Sequence, residues 1–140
     1  MPTSRVAERL GYLLKHAQLR HAELNAAAMR PLGITGRQCA VLIAVEDHEP
    51  QSQQDVARRL DVDRTTMVTL IDELENKALV SRIPAPDDRR KNVVVLTARG
   101  RETLTAALAA TAEAENDFLA ALSKADAKTF RRLLATVVGV

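Results

Sequence analysis

Two short stretches of the chain combine side chains that can read or grip a polyanion. The first is Arg64-Thr65-Thr66, with Thr69 one helical turn further on. A threonine hydroxyl donates or accepts, its methyl packs on a thymine methyl, and an arginine reads guanine or binds phosphate. For Arg64 both roles stay open. The second is Asp87-Asp88-Arg89-Arg90-Lys91, inside PAPDDRRKNVVVLTARG, residues 84–100. Arg89, Arg90 and Lys91 at an exposed tip can follow a phosphate ridge or enter a minor groove, where negative potential attracts arginine. Phosphate repels Asp88, so its expected task is to accept hydrogen bonds from a neighbouring arginine or from tip amides and to fix the loop.

These side chains work only if particular elements hold them. Asp63 precedes Arg64, and Met67, Val68, Leu70, Ile71 and Leu74 follow at helical spacing to about Ala78, so the first stretch opens a helix with a polar N-terminus. A shorter helix, capped by Ser52 with Asp55 three positions on, ends at Leu60. Only Asp61-Val62-Asp63 separates the two, which makes a helix-turn-helix candidate. Val80 to Ile83 and Lys91 to Leu96 are β-prone runs flanking the charged tip, a two-stranded wing in which Pro84 and Pro86 hold the outgoing strand extended. Upstream, Val6, Leu10, Leu13, Ala17, Leu24 and Ala28 predict one amphipathic helix over 4–29, ended by Pro31 and Gly33. Thr35 and Gln38 form a capping box for a buried helix over Ala40 to Val45. Downstream, Thr97 caps a helix to about Leu122, and Ser123 with Asp126 starts a last one carrying Phe130, Leu133, Leu134, Val137 and Val138. The expected class is mainly α, in the order α-α-α-α-β-β-α-α: a winged helix-turn-helix with a two-stranded wing and N- and C-terminal helices around it.

Length and composition bound what this can do. A chain of 140 residues fits one domain with a core of its own. Its 46% hydrophobic content argues against disorder, and its three aromatics leave Ala, Leu and Val to fill a closely packed helical interior. No signal pattern and no apolar run of membrane-spanning length is present, so a cytoplasmic location without membrane contact is expected. The formal charge of +2 is too balanced to imply a partner. Its placement says more: from Arg82 to Arg101 the cations Arg82, Arg89, Arg90, Lys91, Arg99 and Arg101 face only Asp87 and Asp88.

The wing also carries a resemblance. Asp88-Arg89-Arg90-Lys91-Asn92-Val93-Val94-Val95-Leu96-Thr97-Ala98-Arg99-Gly100 is similar to the D-x-R-x-x-x-V-x-L-T-x-x-G signature of the MarR (multiple antibiotic resistance regulator) family, and the upstream DVARRLDVDRTTMVTLIDELENKALVSR looks like that family's helix-turn-helix. The likeness covers essentially the whole chain. It implies one MarR-like domain over 1–140, with 35–97 as the DNA-binding lobe and 4–29 and 98–140 as dimerisation helices. It further implies a homodimeric repressor or activator on a pseudo-palindromic double-stranded DNA operator. Carried over by position, Arg90 is the minor-groove arginine, Asp88 its ordering partner and Arg64 to Thr69 the reading surface. A small phenolic or carboxylic effector near Tyr12, His16 and Arg20 is a further implication. Two departures stand out: Ala78 replaces a glycine frequent after the recognition helix, and Thr69 stands where arginine is common.

Other features point to plainer roles. Arg58 and Arg59 are either phosphate contacts or an ordinary exposed helix face. Cys39 lies in the first turns of an apolar helix with no second cysteine, which favours an inert core thiol over a redox sensor. His16 and His21 are five apart, not the four that aligns two ligands on one helical face, so no metal is expected. No G-x-S-x-G, H-E-x-x-H or phosphate-cradling glycine loop occurs, so neither enzyme chemistry nor a cofactor is expected. A winged-helix module that binds an acidic protein partner is the competing reading. The wing charges, taken alone, could also serve only to prevent edge pairing.

Overall fold

The computed structural model describes residues 4–140. Helix α1 runs Leu10–Met29. The apolar spacing predicts a start near residue 4, and here the structure departs from it. Ser4 to Arg9 form turns, the Ser4 hydroxyl accepts from the Val6 amide at 3.3 Å, and Arg9 is extended without a capping side chain. A serine that bonds the backbone two residues on competes with helix formation. Val6, 56% exposed, gains no packing that would draw the helix further back. At the other end Pro31 sits in a 3₁₀ turn, Arg30–Leu32, and Gly33 closes it in the left-handed region at φ 69.

Helix α2 spans Gly36–Asp47 and opens on the expected capping box, the Thr35 hydroxyl accepting from the Gln38 amide and the Gln38 Oε1 from the Thr35 amide, both at 3.1 Å. Helices α3, Gln53–Arg59, and α4, Arg64–Asn76, follow with caps at Ser52 and Asp63. Val41, Leu42 and Val45 of α2, Val56 of α3, and Met67, Ile71 and Leu74 of α4 are fully buried together. At roughly 1.5–3 kcal/mol for each large apolar side chain removed from water, this interior is what fixes the two short helices against each other.

Strands β1, Val80–Pro84, and β2, Asn92–Leu96, pair antiparallel from Val80 opposite Leu96 to Pro84 opposite Asn92. Gln51, ahead of α3, adds an isolated bridge by accepting from the Val94 amide at 2.8 Å. Its buried side chain donates to the Ala44 carbonyl at 2.5 Å and accepts from Arg59 Nε at 3.1 Å, so one glutamine joins α2, α3 and the wing.

The chain passes from α4 into β1 through a joint that explains much of the wing's sequence pattern. The Leu79 amide donates to the Leu74 carbonyl and the Ala78 amide to the Glu75 carbonyl, the paired bonds of a left-handed helix stop. Ala78 itself is left-handed at φ 60. Helix α5, Ala98–Phe118, starts against this joint. Thr97 caps it by accepting from the Gly100 amide at 2.9 Å and donates its hydroxyl to the Ala78 carbonyl at 2.7 Å. A Cβ on Gly100 would overlap the Leu79 carbonyl oxygen, so only glycine permits this approach.

Helix α5 packs along α1, and Met29, Leu104 and Ala107 join the central core. Helix α6, Lys124–Val138, begins at the expected Ser123 cap and has no buried residue. Along α1 and α6 the structure leaves Leu10, Leu13, Leu14, Leu19, Leu133 and Val137 exposed.

Candidate nucleic-acid interface

Helix α4 owes its register to Asp63. The carboxylate accepts from the Thr66 amide at 3.0 Å and from the Thr66 hydroxyl at 2.5 Å, and these bonds, the hydroxyl foremost, hold its pKa below the ordinary value. Thr66 is therefore half-buried with its hydroxyl proton committed to the cap. Arg64, Thr65 and Thr69 are exposed. Thr65 and Thr69, four apart, share one face of the helix, where the Thr69 hydroxyl turns back to the Thr65 carbonyl at 3.3 Å. Of the four residues expected to form the reading surface, three face solvent and the fourth builds the start of the helix.

Beside Arg64, a groove of about 380 Å³ separates α3 from α4. Its floor includes Ala57, Val62 and Met67, and Gln54, Arg58 and Arg64 stand at its walls. Arg58 is exposed and reaches Asp55 only at 3.7 Å. Arg59 is turned instead to Gln51. Gln54 is not among the residues that type and spacing single out in the sequence. Its position in the first turn of a capped helix was the available signal, since side chains there border the turn that precedes α4.

The wing tip is ordered by Asp88. Its Oδ1 accepts from the Arg90 amide at 3.1 Å and, at a long 3.4 Å, from Arg90 Nε. Its carbonyl accepts from the Lys91 amide at 3.0 Å, and the Lys91 carbonyl accepts from the Ala85 amide at 2.8 Å, which closes the tip one step beyond the last strand pair. Ala85 is tucked beneath as the buried residue of the turn. The Arg90 side chain is 93% exposed against 33% for Asp88. The carboxylate is thus folded into the loop while the guanidinium projects from it, with Arg89 and Lys91 exposed on either side.

Two of the six cations counted between residues 82 and 101 leave the basic footprint. Arg82 is only 23% exposed and donates to Asp72 at 2.6 Å, Glu75 at 3.0 Å and Gln53 at 3.1 Å. Arg101 pairs with Glu49 at 2.5 Å, and the other Glu49 oxygen accepts from the Leu96 amide. The compensating acids lie outside the window in sequence and fold onto it in space. Arg101 is exposed but paired; what remains exposed without an acid from elsewhere in the fold is Arg89, Arg90, Lys91 and Arg99.

Elsewhere, Cys39 is buried and burial pushes its thiol pKa up, the environment of an unreactive sulfur. Tyr12 stacks on His16 with ring centres 4.0 Å apart on exposed α1, and His21 meets Phe118 edge-on at 5.6 Å. Among the described residues no three His, Cys, Asp or Glu side chains gather as a metal site, and no helix is long and apolar enough to cross a membrane.

Comparison with known proteins places this geometry among regulators. Residues 32–91 match the sequence model of the MarR family. The chain is 35% identical over 101 residues to the HTH-type transcriptional repressor NicR of Pseudomonas putida, a match covering 72% of this chain and 64% of NicR. It is 30% identical over 130 residues to a putative transcriptional regulatory protein for the hcr operon of Thauera aromatica, covering 92% of this chain and 78% of that one. In three dimensions it superimposes on the transcriptional repressor CouR bound to a 23-mer DNA duplex with a TM-score of 0.86 and 31% identity, covering 99% of this chain and 98% of CouR. CouR from Rhodococcus jostii RHA1 has also been solved bound to p-coumaroyl-CoA, with a TM-score of 0.79 and 26% identity over 96% of this chain and 95% of that one.

Proposed function

The chain belongs to the MarR family of winged helix-turn-helix transcriptional regulators, and on that premise we propose that it is a homodimeric, cytoplasmic repressor that binds a pseudo-palindromic operator and is released by a small molecule. It acts by binding and not by catalysis. The observation that carries the DNA-binding reading is the wing tip: Asp88 holds the backbone and Nε of Arg90 while the rest of the guanidinium projects into solvent. An arginine so oriented before contact loses less freedom on entering a narrow groove. Arg89 and Lys91 would follow the flanking phosphates.

In this reading α4 lies in the major groove, with Arg64, Thr65 and Thr69 towards the base edges and Thr66 and Asp63 holding its first turn. Gln54 and Arg58 on α3 border the backbone and serve as phosphate contacts. Residues 35–97 form the DNA-binding lobe, and 4–29 with 98–140 join two copies so that two α4 helices face successive grooves, roughly 34–36 Å apart. The effector would be a small phenolic or carboxylic compound; the ligand seen on CouR, p-coumaroyl-CoA, shares with that class its phenolic acyl group but carries it on coenzyme A. It releases DNA only by binding the DNA-incompetent spacing of the helices more tightly than the competent one.

Selection of bound sites from randomised duplex DNA tests the whole proposal. Recovery of an inverted repeat with half-sites about one helical turn apart is the expected result. Recovery of no enriched sequence, with binding confined to low salt, would leave only a basic protein with non-specific affinity.

A further inference from the structure

We propose that Gln38, Glu73 and Lys77 form a clasp that sets the angle of the recognition helix against the α1–α2 corner, and so fixes which half-site spacing the dimer accepts. This rests on the operator-binding reading above. Gln38 is 3% exposed and all its side-chain bonds are directional. Its Oε1 accepts from the Thr35 amide at 3.1 Å and from Lys77 Nζ at 2.9 Å, while its Nε2 donates to Glu73 Oε2 at 2.7 Å. Lys77 Nζ also donates to the Gly33 carbonyl at 2.7 Å, at the left-handed residue that ends the turn after α1.

The amide therefore sits between an anion and a cation four residues apart on α4. A flipped amide would turn its NH₂ towards two donors and its oxygen towards a carboxylate, so the clasp has one favourable arrangement. The polarity matters because of where the ends lie. Gly33 and Thr35 join the arm helix α1 to α2, whereas Glu73 and Lys77 stand at the C-terminal end of α4. On the opposite side Arg82 ties Asp72 and Glu75 of the same helix to the wing. Helix α4 and the wing are thus bolted into one unit by Arg82, and the clasp is a polar tie between the C-terminal end of that unit and the α1–α2 corner. At about 1.5 Å per residue, a few degrees of rotation at Lys77 displaces Arg64, thirteen residues away, by about 1 Å, and does so at both half-sites.

Lys77→Met, which keeps the aliphatic stem and removes the donor, and Glu73→Leu test this on the full-length dimer. Affinity is measured for the selected operator, for versions with the half-site separation changed by one base pair either way, and across salt concentration. The wild type should discriminate between spacings; both variants should lose about five- to tenfold of that discrimination, with the salt slope unchanged. Glu73→Gln, which can still accept from Gln38, should retain it. Undiminished discrimination in folded Lys77→Met and Glu73→Leu, judged by circular dichroism, would overturn the clasp. A reduced salt slope in Lys77→Met would also overturn it by making Lys77 a phosphate contact. A wild type that binds no operator defeats the functional reading itself, a result separate from either variant's.

Discussion

Asp88 and Arg90 divide a task that charge alone would assign otherwise. Removing an anion from a basic tip should, by Coulomb attraction, tighten binding to a polyanion. If the carboxylate instead orders the tip through the Arg90 amide and Nε, its removal weakens binding. We expect Asp88→Ala to lower operator affinity despite the gain of one positive charge, and Arg90→Ala to lower it while reducing the salt slope by about one. Titration of both variants at several salt concentrations separates these effects; tighter binding by Asp88→Ala would make the carboxylate a mere counter-charge. The Asp88 arrangement was legible in sequence because its partners lie within three residues. The states of Arg82 and Arg101 were not, because Asp72, Glu75 and Glu49 reach them only through the fold. Thr66 was legible as a polar residue of the first turn but not as part of the cap, since Asp63 and Thr66 fit both a reading and a capping role until the hydroxyl is seen on the carboxylate.

Among the elements, the joint between α4, the wing and α5 explains why Leu96, Thr97 and Gly100 stand at this spacing. Leu96 is buried, the Thr97 hydroxyl bridges the Gly100 amide and the Ala78 carbonyl, and Gly100 leaves room for the Leu79 carbonyl. Gly100→Ala should therefore destabilise by about 1–3 kcal/mol or more through steric overlap with backbone, measured by urea unfolding. Ala78→Gly should act in the opposite sense. A left-handed alanine carries a cost of about 1–2 kcal/mol that glycine avoids, so the variant should unfold at higher urea, by up to about 1 kcal/mol once glycine's greater unfolded-state freedom is counted. The sequence marked Ala78 as a departure that left the helix end open; the structure keeps the left-handed stop and places the alanine in it. Helix caps add a pH dependence. Asp55 and Asp63 both have lowered pKa values, chiefly through the Ser52 and Thr66 hydroxyls, so their stabilisation is present above the unfolded value of about 3.9 and is lost as pH falls through the folded values. Asp63→Asn, which caps without titrating, should match the wild type near neutrality and lose less stability below pH 4 in acid unfolding curves. The start of α1 was the element the sequence placed worst, because apolar spacing continues through Val6 while nothing in the fold packs against it.

At the scale of the molecule, the spacing of Phe130, Leu133, Leu134 and Val137 correctly indicated an amphipathic last helix, but a single protomer covers that face only in part, with Phe130 and Leu134 beside His21 and Phe118. Helix α6 contributes no residue to the core, and Val137 is 82% exposed with Leu133 at 51%. Leu10, Leu13 and Leu14 of α1 are exposed as well, so both terminal helices carry large apolar side chains that a second copy could cover. Burying even four such side chains at about 1.5–3 kcal/mol each offsets a substantial part of the cost of association. If the proposed two-fold dimer is joined through α6, a substitution appears once per protomer and Leu133→Asp places two carboxylates in the interface. We expect this variant to sediment as a monomer of 15.3 kDa with helix content close to that of the wild type, since Leu133 supports no part of the protomer's interior. Its operator affinity should fall by about a hundredfold or more, because the second half-site no longer gains from the first, while affinity for a single half-site stays near the wild-type value. A variant that remained dimeric would move the interface off α6; one that became monomeric yet kept full operator affinity would show that a single lobe carries all of the binding energy.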